Sequence, residues 1–137
     1  MKNEKQEVIK TVGRFLDTYT KKDIEGCMGF IANKTPFLML GTNDDEVLTD
    51  PSGLREAFQK DFSIMTDINF GKYRNQYVDA NENLASVIIE LPISYKSDGQ
   101  RTLKLFRYAL ILTKENDRWK VCAGMASVPF KSGTYSF

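Results

Sequence analysis

The hydrophobic period changes once along this chain, and that change limits the fold more than any other feature. Up to about residue 65 the apolar side chains recur every three or four residues; from residue 68 onward they alternate. Val8, Val12, Phe15 and Tyr19, joined by Ile9 and Leu16, form one stripe and predict a helix over residues 3–22. Asp23 reads as the N-cap of a second, shorter helix reaching residue 33. "TPFLML", residues 35–40, reads as a short strand, and "TNDDEVLTD" as a polar loop. Asp50-Pro51 places a capping carboxylate before a proline suited to the first helical position. Leu54, Phe58, Phe62 and Met65 then carry a third helix to about residue 65.

The second half reads as four strands, over residues 68–80, 84–96, 100–114 and 118–130. Pro92 inside the second marks a bulge or an edge position. The connections "DANEN", "KSDGQ" and "KENDR" are short and polar, with Asp98-Gly99 the strongest turn signal, so the strands form an antiparallel meander. Helices followed by a meander give an α+β domain. Strands this long in a small sheet must curl. Helices packed across the mouth of the curl leave a cone-shaped cavity, the expected ligand position.

The 137 residues fit one domain spanning residues 1–137. A net charge of +1 argues against binding to nucleic acid or to a membrane surface by bulk electrostatics. The opening "MKNEKQEVIK" carries no signal-peptide run, so a cytoplasmic location is expected, with Cys27 and Cys122 reduced and buried. There is no histidine. That excludes a Cys/His zinc site, and no metal or cofactor is expected. It also removes the side chain best suited to proton transfer near neutral pH, leaving Asp, Glu, Lys, Tyr or Cys for any acid–base role.

Two segments bear on family. "FLMLGTNDDEVLTDPSGLREAF" ends a strand at Gly41-Thr42, places Glu46 in an acidic loop and sets Gly53 before the third helix. Arg107, Trp119, Ser127 and Pro129 mark the last two strands. Together with the element order, these resemble the SnoaL-like families of the nuclear transport factor 2-like fold, over nearly the whole chain. The resemblance implies a cone in which three N-terminal helices pack on a strongly curled, mostly antiparallel sheet. Many relatives place histidines in the last strand; here the corresponding positions hold Ala123 and Met125.

Simple alternation puts Trp119, Val121, Ala123, Met125 and Ser127 on one face of that strand, which is expected to face the cavity. Glu46 and Asp45 are the candidate carboxylates for acid or base work if the loop covers the cavity mouth; an exposed acidic loop is the plainer reading. Arg107, among apolar neighbours in "LKLFRYALIL", is either an anchor for a carboxylate ligand or one half of an ion pair with an acid such as Glu90. Phe15 and Tyr19 belong either to the core or to the pocket wall, and Ser127 is a polar handle. The candidate ligand-binding set is therefore Phe15, Tyr19, Glu46, Arg107, Trp119, Ala123, Met125 and Ser127.

Two functions fit. One is a domain that binds a small apolar or carboxylate-bearing molecule, or another protein, and forms a homodimer through the open face of its sheet. The other is an enzyme of the same fold, a polyketide cyclase, isomerase or dehydratase, using Glu46 or Asp45 as base and Arg107 or a tyrosine as electrophile.

Overall fold

Asn3 opens the first helix by accepting a hydrogen bond from the Gln6 amide on its side-chain oxygen (3.2 Å). The helix, α1 (Glu4–Thr20), buries Val8, Val12, Phe15, Leu16 and Tyr19, the stripe expected from the spacing. Asp23 caps α2 (Ile24–Met28) in the same way, through the Gly26 amide at 2.9 Å. This helix is shorter than its sequence pattern because tertiary pairing claims the residues beyond it. Val121 donates to the Phe30 carbonyl and Ala32 donates to the Val121 carbonyl, both at 2.8 Å, so Ile31 bridges to the last strand. In α3 (Pro51–Ile64), Asp50 accepts from the Gly53 amide and from the Ser52 hydroxyl. Leu54, Phe58 and Phe62 face inward. The computed structural model describes residues 3–134. Among these, no helix is long and apolar enough to cross a membrane.

The strands are β1 (Leu38–Leu40), β2 (Val47–Leu48), β3 (Thr66–Phe70), β4 (Asn75–Ala80), β5 (Leu84–Ser97), β6 (Gln100–Glu115) and β7 (Arg118–Ser127). They form one open, curled sheet in the order β2-β1-β7-β6-β5-β3, with β4 also paired to β5. Every pairing is antiparallel except β1 with β7. Two connections carry paired left-handed residues, Asp98-Gly99 and Asn116-Asp117, the geometry whose twist matches a tight hairpin. The helices pack on the inner face of the sheet, where Val87, Ile89, Leu91, Leu110, Leu112, Trp119 and Val121 complete the core with the helical side chains.

Two departures from the sequence reading have local causes. The segment over residues 68–80 is two strands, not one, separated at residues 71–74. Gly71 donates to the Pro92 carbonyl, so the backbone of Pro92 faces this gap. Proline has no N–H to offer there, and the ladder breaks beside it while β5 pairs with β6 without interruption.

The second departure is a bulge in β7. Ile111 pairs with Ala123 but Leu112 pairs with Val121, so Cys122 is an extra residue in the strand. Alternation restarts beyond it. Trp119 and Val121 point inward as expected, but from there the inward positions are Gly124 and Ala126. Ala123, Met125 and Ser127 turn to the outer face, where Met125 is half-exposed.

Candidate functional site

Between α1, α3, the β1–β2 hairpin and the inner face of β3, β5, β6 and β7 lies a cavity of about 380 Å³. This is near the lower end of the range found for small-molecule sites, roughly 300–1,000 Å³. Its wall is mainly apolar, with Met39, Leu54, Phe58, Met65, Phe70, Ile93, Phe106 and Ala126 among the lining residues. The polar groups on the wall include Tyr19, Glu46, Asp61, Tyr95, Lys104 and Tyr108.

The centre of the polar set is a hydrogen bond from the Tyr19 hydroxyl to Oδ2 of Asp61, at 2.8 Å. Helix geometry brings these residues to the wall. Tyr19 ends the buried stripe of α1, where its ring packs on Phe62 with centroids 5.0 Å apart and on Phe58 at 5.9 Å. Asp61 follows Phe58 by three residues and precedes Met65 by four, so it lies on the inward face of α3. Burial pushes the Asp61 carboxyl above its ordinary range and the negative charge of Glu46 pushes the same way, while the Tyr19 hydrogen bond opposes them. Burial and the neighbouring Asp61 charge raise the Tyr19 phenol far above its usual range, and Tyr108 is raised for the same two reasons. Both phenols are therefore O–H donors at neutral pH. Tyr108 is fixed by an edge-to-face contact with Phe106 at 4.7 Å. Its hydroxyl makes no hydrogen bond within the described residues, and it is available to a ligand.

Glu46 reaches the wall because its loop folds back on itself. The Asn43 backbone amide and side-chain amide both donate to Glu46 Oε1, at 3.1 and 2.5 Å. The Gly41 amide donates to the Glu46 carbonyl. A side chain at Gly41 would collide with Glu46 near its backbone: an added Cβ would lie 2.7 Å from the Glu46 Cβ, which cannot swing aside as the carboxylate can. The glycine is therefore required by a close approach, not by its φ angle.

The structure brings Tyr19 and Glu46 together at the cavity and places the other sequence candidates elsewhere. Asp45 is exposed in the loop. Phe15 is core, packed against Phe30 and Phe58. Trp119 is buried under the Lys114 ammonium, 5.2 Å from its ring, and Lys114 pairs with Glu4 at 2.7 Å. The bulge turns Ala123, Met125 and Ser127 away from the cavity. Arg107 also lies on the outer face. It donates through Nε to Glu90 Oε2 at 2.7 Å, while Asn75 donates to the other carboxylate oxygen at 2.9 Å. Of the two readings of Arg107, the ion pair is the one observed. Arg107 lines the opposite side of the sheet from Glu46, so no ligand can bridge them.

Of the tyrosines whose hydroxyls could orient a ligand, Tyr19, Tyr95 and Tyr108 line the cavity and Tyr73 and Tyr77 do not. Asp61 and Lys104 were missed as site residues, although each carried a signal. Asp61 is a carboxylate inside an apolar helical stripe, and Lys104 and Tyr108 alternate with Phe106 on the inward positions of β6. Cys27 and Cys122 are both buried and not bonded to each other. Among the described residues, no group of three His, Cys, Asp or Glu side chains is placed to hold a metal ion.

Comparison with known proteins agrees with this architecture. No curated protein matches the chain. Among solved structures, a nuclear transport factor 2-like superfamily protein from Salmonella enterica serovar Typhimurium superposes with a TM-score of 0.83 at 16% identity, covering 97% of this chain and 96% of that one. A ketosteroid isomerase-like protein from Erwinia carotovora atroseptica gives 0.79 at 13% identity, covering 96% and 100%. A protein of unknown function with a cystatin-like fold from Nostoc punctiforme gives 0.74 at 17% identity, covering 91% and 90%. At these identities the likeness speaks for the fold alone. The sequence also matches the SnoaL-like domain over residues 8–131, and the chain belongs to that family.

Proposed function

We propose that this protein binds a compact, largely apolar small molecule in the cavity of its cone, in the cytoplasm and as a homodimer. The observation that carries the reading is the Tyr19–Asp61 pair set into a mainly apolar wall, with the Tyr108 hydroxyl free beside it. An apolar wall supplies affinity through excluded water, and a few convergent polar groups fix orientation. The test is native mass spectrometry of the protein purified from its own host. A retained small-molecule mass that disappears on denaturation is the expected result; a bare polypeptide mass under gentle ionisation contradicts the reading.

A second reading, an enzyme that moves a proton on the bound molecule, is favoured by one observation. Asp61 is a partly buried carboxyl shifted towards neutral pH, which suits a general base better than an exposed carboxylate does. Asp61 here replaces Glu46 and Asp45 in that role, since Asp45 is off the cavity and Glu46 is held by Asn43. If the retained molecule exchanges carbon-bound hydrogen for deuterium with the wild type but not with Asp61→Asn, the enzyme reading stands. Equal exchange in the two proteins contradicts it.

The partner in the dimer is a second copy of the chain, docked on the outer face of the sheet. There Tyr77, Ile88, Ala109 and Met125 stand in register across β4, β5, β6 and β7, an apolar row spanning four strands. The adjacent row, Asn75, Glu90, Arg107 and Ser127, has its charges neutralised internally. An uncharged apolar face can meet its own copy about a twofold axis without repulsion. Analytical ultracentrifugation is expected to give a dimer for the wild type and a monomer for Ile88→Lys; a monomeric wild type overturns the proposal.

A further inference from the structure

We infer that the cavity selects a compact, largely apolar molecule bearing one carboxylate, and that Lys104 is the residue that recognises the carboxylate. The inference rests on the reading of the cavity as a binding site. Lys104 stands on the inward face of β6, in step with Phe106 and Tyr108, and lines the cavity.

Lys104 is the one cation among the described residues that line the cavity. Arg55, Arg101, Arg107 and Lys114 lie off the cavity wall and pair with Glu25, Asp67, Glu90 and Glu4. Among the described residues no carboxylate lies within ion-pair distance of Lys104. Its ammonium is a positive charge on the rim of a cavity whose other charged lining groups are the acids Glu46 and Asp61.

That distribution orients a ligand. An anionic group is repelled from the Glu46–Asp61 end and attracted to the Lys104 end. A neutral hydroxyl or carbonyl suits the other end, where Tyr108 can donate and Asp61 can accept. Four residue steps lead from Lys104 to Tyr108, about 13 Å along β6. A flexible lysine shortens this span, so the molecule joins its two polar ends by an apolar body about one ring and a short chain long. A single lysine offsets a single charge, which favours a carboxylate over the nearly doubly charged phosphate monoester.

The test is calorimetric titration of the full chain with 4-(4-hydroxyphenyl)butanoate and with its amide, 4-(4-hydroxyphenyl)butanamide. The carboxylate is expected to bind about fivefold tighter, the scale of a solvent-accessible ion pair. Added salt should narrow the difference. Lys104→Met should remove the preference, and Lys104→Arg should keep it. Equal affinity of the wild type for both compounds, or a preference that survives Lys104→Met, overturns the proposal and leaves the cavity reading intact. If neither compound binds, the carboxylate proposal is likewise overturned; the cavity reading falls only if native mass spectrometry finds no retained molecule.

Discussion

Two carboxylates, Glu90 on the outer face of the sheet and Asp61 on the helix packed over its inner face, show how differently this fold treats charge. On the outer face Glu90 receives Arg107 and Asn75, and these hydrogen bonds hold its carboxyl below the usual range. On the inner face Asp61 receives only the hydroxyl of Tyr19, and burial with the nearby Glu46 charge drives it above that range. One site is closed, with the anion matched by a cation and an amide. The other is left electrostatically incomplete in a cavity with room for a guest. Groups held away from their preferred ionisation state mark functional sites more often than matched pairs do.

The comparison breaks most visibly if the two faces of β6 turn out to be energetically alike. Leu110 is 1% exposed on the inner face and Leu103 is 72% exposed on the outer one. Leu110→Ala is expected to cost about 3 kcal/mol in urea denaturation. Leu103→Ala is expected to change stability by less than about 0.5 kcal/mol. Similar losses at the two positions would mean that the outer face is buried as a core is.

A smaller loss is expected at the bulge that assigns β7 side chains to the two faces. A side chain on Gly124 would run into the Ala109 carbonyl and the Leu110 side chain. Gly124→Ala is expected to cost about 2 kcal/mol by the same measurement, because the obstacle includes backbone that cannot move aside cheaply. An unchanged midpoint would contradict the close approach of β6 and β7 at this point.

The smallest effect separates the two carboxylates by pH. Asp61 has a raised folded-state value. Its contribution is therefore fully present below the ordinary carboxylate range and is lost as pH rises through the raised value. Glu90 has a lowered value, so its contribution is present above the ordinary range and is lost as pH falls through the lowered value. Asp61→Asn is expected to raise Tm by about 3 °C at pH 7 and to give no gain near pH 3. Glu90→Gln is expected to lower Tm at pH 7, with the loss shrinking in acid. Thermal scans across pH check both signs, and a stabilising Glu90→Gln at pH 7 would reverse the comparison.

Much of the fold was legible because its signals are local. The capping carboxylates Asp23 and Asp50, the α1 stripe and the Asp98-Gly99 turn each state their own conformation. The site was less legible because it depends on register. One extra residue at Cys122 reverses the face of every later side chain in β7, and no residue type in "VCAGM" announces it. That is why Ala123, Met125 and Ser127 were expected at the cavity, where Ala126 stands instead. Arg107 and Lys104 differ by an odd number of residues in one strand, so they take opposite faces, and the ligand-facing cation is Lys104. Asp61 was the most readable of the missed residues, a carboxylate on a helix face otherwise built of Leu54, Phe58 and Met65.

The central claim, that a small molecule occupies the inner face and that the bulge decides which β7 side chains meet it, is tested most directly by two matched alanine substitutions. Ala126→Phe fills the cavity; Ala123→Phe adds the same ring to the outer face. Native mass spectrometry should find the retained small molecule in the wild type and in Ala123→Phe, and not in Ala126→Phe. Retention by Ala126→Phe with loss in Ala123→Phe, or no retained mass in the wild type, would contradict the account.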